Sequence, residues 1–162
     1  MIHDLRRFVA IGIFASAFGG CSSRVSSFPD VKLPTIEESQ AVSLGHCPTP
    51  KCLTVYIAPW CGYCRASSEL LRALRVFLTA KNVTMRIVVG MDQSASVVDY
   101  AREFGADTFL DPSGDFKVNG VPHFIVSDAS GRILKDSAGA PLVPPPWSDA
   151  ILAQVASLYG LP

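Results

Sequence analysis

Two cysteines separated by two residues, in Trp60-Cys61-Gly62-Tyr63-Cys64, stand where the chain changes from one hydrophobic period to another, and that junction leaves few architectures open. Before them, Leu53-Thr54-Val55-Tyr56-Ile57 is β-branched and aromatic and predicts a buried strand. After them, Leu70, Leu71, Leu74, Phe77 and Leu78 recur at helical spacing and predict a helix from about Cys61 to Ala80. Cys61 thereby stands at a helix N-terminus. Unpaired N–H groups and the positive end of the helix dipole favour a thiolate there, lowering such cysteines from about 8.5 to between about 3.5 and 7.5. The thiolate attacks disulfides, and a second thiol one turn further on resolves the resulting mixed disulfide within the molecule. The pattern predicts dithiol/disulfide exchange, with Cys61 attacking and Cys64 resolving. Gly62 lets a substrate backbone come close, while Tyr63 adds aromatic surface and helps set the redox potential.

With 162 residues, 49% of them apolar, and a formal net charge of zero, the chain has room for a leader and one domain with a real core. It carries no basic run or aromatic-interleaved basic stripe, so nucleic-acid binding has no electrostatic footprint. Arg6 and Arg7 followed by the apolar stretch Phe8 to Phe18 predict an export signal, too short for a permanent span of about 20 residues. The two arginines read as ordinary signal charge, since their surroundings match a twin-arginine signal poorly. Phe18-Gly19-Gly20-Cys21 resembles a bacterial lipobox with Phe18 in place of the usual aliphatic residue, which implies lipidation of Cys21 as the mature N-terminus. The rival is Ala15-Ser16-Ala17, a match for ordinary signal peptidase that would leave Cys21 a spare thiol.

Cysteine arithmetic favours the lipid. Pairing Cys47 with Cys52 and Cys61 with Cys64 leaves one of five, and an unpaired thiol is a liability in an oxidising compartment. Cys47-Pro48-Thr49-Pro50-Lys51-Cys52 closes a short loop, either as a structural staple or as a second redox pair relaying electrons to Cys61 and Cys64. Residues 1–21 are thus expected to be a signal, 22–46 an irregular tether rich in Ser, Pro and charge, and 47–162 the folded domain.

Within that domain the sequence predicts strands over Thr84 to Val89, Pro122 to Val126 and Arg132 to Asp136, with a turn through Asp128-Ala129-Ser130-Gly131. Helices are expected from Ser94 to Phe104, closed by Gly105, and at the C-terminus, capped by Ser148. Ile151, Leu152, Val155, Leu158 and Tyr159 give the last helix an apolar face. Pro141 to Pro146 reads as a stiff connector into it, or as a recognition segment for a proline-binding domain. The alternation of strands and helices predicts an α/β fold.

This order of elements, the W-C-x-x-C at the first strand-to-helix junction and Gly120-Val121-Pro122 far downstream resemble the thioredoxin fold over Leu53 to Tyr159. The resemblance implies a three-layer sandwich with a central mixed sheet flanked by helices. Phe109-Leu110-Asp111-Pro112-Ser113-Gly114 and the Ser130-Gly131-Arg132 turn are similar to its membrane-tethered, TlpA-like branch. By that resemblance Pro122 matches the cis-proline facing the active-site disulfide, and Val121 offers backbone groups to a bound peptide. Trp60, as a shield beside the disulfide, joins Gly62, Tyr63, Val121 and Pro122 in the surface that meets substrate.

The implied activity is a periplasm-facing, lipid-anchored thiol:disulfide oxidoreductase of the bacterial envelope. It would act on protein thiols and disulfides, be recharged by a membrane electron donor or acceptor, and need no organic cofactor. One departure stands out. Thioredoxins hold a buried acid six residues before the first cysteine, where this chain has Val55. The Gly-Tyr dipeptide also occurs in periplasmic disulfide isomerases, whose dimerisation domain has no room here. The expected direction is that of a reductant; disulfide oxidant, isomerase and copper-binding chaperone stay open as alternatives, the last with the same cysteines as soft ligands and His123 beside Pro122 within reach. A zinc site of four thiolates is disfavoured, because Cys47 and Cys52 are too widely spaced for a zinc knuckle.

Overall fold

The computed structural model describes residues 26–162, so the export signal and Cys21 lie outside the described residues. The predicted buried strand is Lys51–Ile57 (β3), and from Cys52 onward every residue of it is buried. It is central because both its edges are paired: parallel to Val83–Gly90 (β4) and antiparallel to His123–Asp128 (β6). Phe109–Asp111 (β5) extends the sheet beyond β4, and Ile133–Ala138 (β7) beyond β6, giving the mixed order β5-β4-β3-β6-β7. Central strands buried on both faces read as continuous apolar runs rather than alternating ones.

One face is helical. Val55, Ile57, Ile87, Val89 and Phe124 share a core with Gly62–Thr79 (α1), Ser94–Ala101 (α2) and Asp149–Leu158 (α3). The helix expected to run to Phe104 tightens into a 3-10 turn at Arg102–Phe104 and stops at Gly105, whose φ of 108° suits glycine. Ser148 caps α3 by accepting a hydrogen bond from the Ile151 N–H, as its position in the sequence implied. The apolar face of α3 is narrower than expected. Leu152, Val155, Ala156 and then Tyr159 form an i, i+3, i+4, i+7 stripe on the core, and Leu158, one step round the helix, faces solvent. The proline-rich connector is pinned by half-buried Val143 and Trp147, whose indole N–H donates to the Val143 carbonyl at 2.9 Å.

The other face corrects the tether. Tyr56, Val88 and Ile125 point away from the helices and are covered by Phe28, Leu33, Leu44 and Phe116. Among the described residues, those expected to form a tether therefore close the third layer of the sandwich. Lys32–Leu33 (β1) and Val42–Ser43 (β2) pair there, and Thr35 bridges to Phe109 on β5. Arg86 on β4 fastens the end of the arm by donating to the carbonyls of Leu44 and His46. The sequence hid this because three anchors, irregularly spaced among polar residues, make neither a strand period nor a helical one.

Two measurements follow from these contacts. Phe28→Ala should cost about 3–5 kcal/mol in denaturant unfolding, as for a core aromatic; a loss under about 1 kcal/mol would restore the tether. At the β6–β7 turn, the Asp128 carboxylate accepts from the Ser130 hydroxyl and from the Ser130 and Arg132 N–H groups, with the Ser130 hydroxyl foremost in pulling it from 3.8 down to about 2. A depressed carboxylate stabilises above its unfolded value and loses that contribution as pH falls through its folded one. Unfolding midpoints of wild type and Asp128→Asn should therefore differ above pH 4 and converge toward pH 2.

Candidate active site

Cys61 caps α1. It has extended backbone angles (φ −82°, ψ 110°), and its sulfur accepts a hydrogen bond from the Cys64 N–H at 3.1 Å. The first turn of α1 contains no acidic residue to oppose negative charge on that sulfur. Cys61 and Cys64 are disulfide-bonded, with Cα atoms 5.2 Å apart. Cys61 keeps 6% exposure and Cys64 has none. The edge of the sulfur bridge that faces outward thus belongs to Cys61.

Around that edge the structure gathers the residues the sequence nominated. The Val121–Pro122 peptide is cis, Pro122 is buried, and the Val121 carbonyl stands 3.7 Å from Cys61 Sγ. Gly62 is exposed, and a side chain there would meet nothing within 4 Å, so the space above it is open to a substrate. Tyr63 projects into solvent with 64% exposure. Trp60 differs from the expected shield: it is 60% exposed and held at its edge, its indole N–H donating to the Met91 carbonyl at 2.8 Å.

Several supporting residues escaped the sequence reading. Arg65, next to Cys64, donates through Nε to the Pro59 carbonyl at 2.8 Å, places its guanidinium 4.4 Å from the Tyr100 ring centre, and pairs with Glu103 at 3.6 Å. It ties the loop before Cys61 to α1 and α2. Beneath it the Tyr100 hydroxyl lies 3.0 Å from Ser68 Oγ, which also donates to the Cys64 carbonyl; burial is the main reason the Tyr100 phenol titrates above its usual range. The contacts of Arg65 and Ser68 with Tyr100 and Glu103 span thirty-odd residues and leave no mark on local periodicity.

The Redoxin family matches residues 24–146, most of the chain and all of the site just described. The chain belongs to the Redoxin family. Among solved structures it is similar to the thioredoxin domain of a thiol-disulfide oxidoreductase from Bacteroides vulgatus, at TM-score 0.63 and 18% identity over 84% of this chain and 97% of that one. A thiol:disulfide interchange protein of the thioredoxin family from Chlorobium tepidum aligns at TM-score 0.61 and 17% identity, over 85% and 97%. The exposed lipoprotein thioredoxin Etrx1 from Streptococcus pneumoniae aligns at TM-score 0.57 and 17% identity, over 78% and 96%. No curated protein matches the sequence.

Within this Redoxin fold Val55 faces the same core as Cys64, so no carboxylate occupies the place the thioredoxin resemblance reserves for one. Among the described residues Asp111 is the single buried carboxylate, and its partner Tyr56 belongs to the opposite face of the sheet. His123 follows Pro122 but pairs in register with Tyr56, and its Nε2 lies 2.6 Å from Asp136 Oδ1. That turns it away from Cys61 and removes it as the third ligand of a copper site. Among the described residues no group of three His, Cys, Asp or Glu side chains is placed to hold a metal ion.

Cys47 and Cys52 form the second disulfide, with Cα atoms 5.6 Å apart. Cys52 is the second residue of β3, whereas Cys61 follows its far end. Five residues of strand put about 17 Å between Cys52 and Ile57, the end of β3 that leads to Cys61, and this length of strand argues against direct exchange between the two pairs. Replacing Cys47 and Cys52 together by serine should lower stability by about 2 kcal/mol, the entropy of so short a loop, and leave the exchange rate at Cys61 unchanged. A fall in exchange rate with stability intact would bring back the relay.

Proposed function

We propose that this Redoxin-family protein is an exported thiol:disulfide oxidoreductase that reduces disulfides in protein substrates. The observation that carries the reading is the asymmetry of the pair: Cys61 at the helix cap is reachable beside the Val121 carbonyl, and Cys64 is enclosed. In the reduced state the Cys61 thiolate attacks one sulfur of a substrate disulfide. A Cys61–substrate S–S bond forms, and the other substrate sulfur leaves with the electron pair and takes a proton from water. Cys64 then gives its proton to solvent and attacks Cys61 Sγ, closing the intramolecular disulfide and expelling the second substrate thiolate. The substrate gains two electrons and the protein loses them.

Lipid attachment at Cys21, a periplasm-facing location, a membrane electron donor that restores the dithiol, and membership of the TlpA-like branch belong to the same proposal. They are supported by the signal-like N-terminus, by the oxidised Cys47–Cys52 staple, which suits an oxidising compartment, and by the fold shared with an exposed lipoprotein thioredoxin. The test is trapping. Cys64→Ser should accumulate a mixed disulfide with its substrate and Cys61→Ser should trap nothing and turn nothing over. A Cys61/Cys64 potential near about −270 mV marks the reductant, and one near about −120 mV would make it an oxidant instead. Failure of Cys64→Ser to hold any disulfide partner overturns the assignment of roles.

A further inference from the structure

Trp60 combines features that seldom meet. It is among the most exposed large side chains described, yet its indole N–H is committed to a backbone carbonyl, and that carbonyl belongs to a residue in an unusual conformation. Met91 has φ 57°, a left-handed geometry that side chains other than glycine, asparagine and aspartate adopt rarely. Such outliers persist where the surroundings hold them.

Those surroundings are built on the opposite face of the sheet. Asp111, 1% exposed, accepts from the Tyr56 hydroxyl at 2.8 Å and from the N–H groups of Asp115 and Phe116, so its carboxylate shapes the loop after β5. Its carbonyl accepts from both the Met91 N–H at 3.1 Å and the Gly114 N–H at 3.0 Å. Gly114 leaves room for Met91, whose Cγ would stand 3.1 Å from any Cβ there. Gly90 is needed for the same reason: its Cβ would fall 2.1 Å from the Tyr56 hydroxyl oxygen and 2.3 Å from the Asp111 carbonyl oxygen.

We propose that the buried Tyr56–Asp111 pair is a positioning device for substrate recognition, acting through Met91 to hold Trp60 as an ordered aromatic wall beside Cys61. Its object is the polypeptide that flanks a target disulfide, so the inference rests on the oxidoreductase reading and specifies protein disulfides rather than small ones. Tyr56 and Asp111 touch neither the sulfurs nor the substrate. An immobilised tryptophan offers large amphipathic area without an ordering cost at the moment of binding, whereas a free one must be ordered by the substrate.

The experiment uses the full chain with Trp147→Phe, which leaves Trp60 as the sole tryptophan of two. Tyr56→Phe removes one donor from Asp111; Asp111→Asn keeps the shape of the side chain but loses one acceptor oxygen, and serves if the first variant folds poorly. Each should increase acrylamide quenching of Trp60 and raise KM for insulin disulfides by about two- to tenfold, the span of one net hydrogen bond, while kcat holds. Placed in a Trp60→Phe background, neither should raise KM further. Unchanged quenching and KM, or losses that add in full to that of Trp60→Phe, overturn the proposal. If the wild-type chain exchanges with neither insulin nor hydroxyethyl disulfide, the oxidoreductase reading fails, and the quenching result still decides whether Tyr56 sets Trp60.

Discussion

The hydrogen bond from the Cys64 N–H to the Cys61 sulfur, 3.1 Å long, is the contact on which the site depends. It exists because a strand ends and a helix begins within four residues, so that the first cysteine takes the cap and the second is carried one turn into the core. A sulfur in that place receives the unpaired donors and the dipole of an eighteen-residue helix. It also keeps a small exposed edge, 6% against none for Cys64, since a cap lies at the margin of the packed layer. The difference in exposure between the two cysteines is therefore a consequence of the junction.

The sheet does the rest by delivering distant residues to that edge. β3 runs between parallel β4 and antiparallel β6, so the C-terminal ends of β3 and β4 and the N-terminal end of β6 converge. Cys61 follows the first, Met91 the second, and Val121-Pro122 precede the third. Three segments far apart in the chain meet at one end of the sheet, where the Val121 carbonyl stands 3.7 Å from Cys61 Sγ and the Met91 carbonyl 2.8 Å from the Trp60 indole nitrogen. The second disulfide stands at the opposite end of the same strand.

Much of this was legible beforehand, and the limits have physical causes. The Cys61–Cys64 junction, the strands around it and the Ser148 cap all leave local signatures: a period, a capping side chain, a spacing. Pro122 was legible only through resemblance to thioredoxins, because nothing in three letters brings residue 122 beside residue 61. The arm over the second face was misread because Phe28, Leu33 and Leu44 bury themselves without repeating. Met91, Tyr56 and Asp111 were silent for another reason: their roles depend on a left-handed angle and on a buried carboxylate bonded across the sheet.

The most direct test is the alkylation of the reduced protein by iodoacetamide as a function of pH, followed at each cysteine by mass spectrometry. If the helix cap sustains a thiolate, Cys61 reacts first and does so well below the pH of about 8.5 at which an ordinary thiol ionises, while Cys64 stays protected. Modification of Cys64 ahead of Cys61, or of both together only at that ordinary pH, would contradict the account.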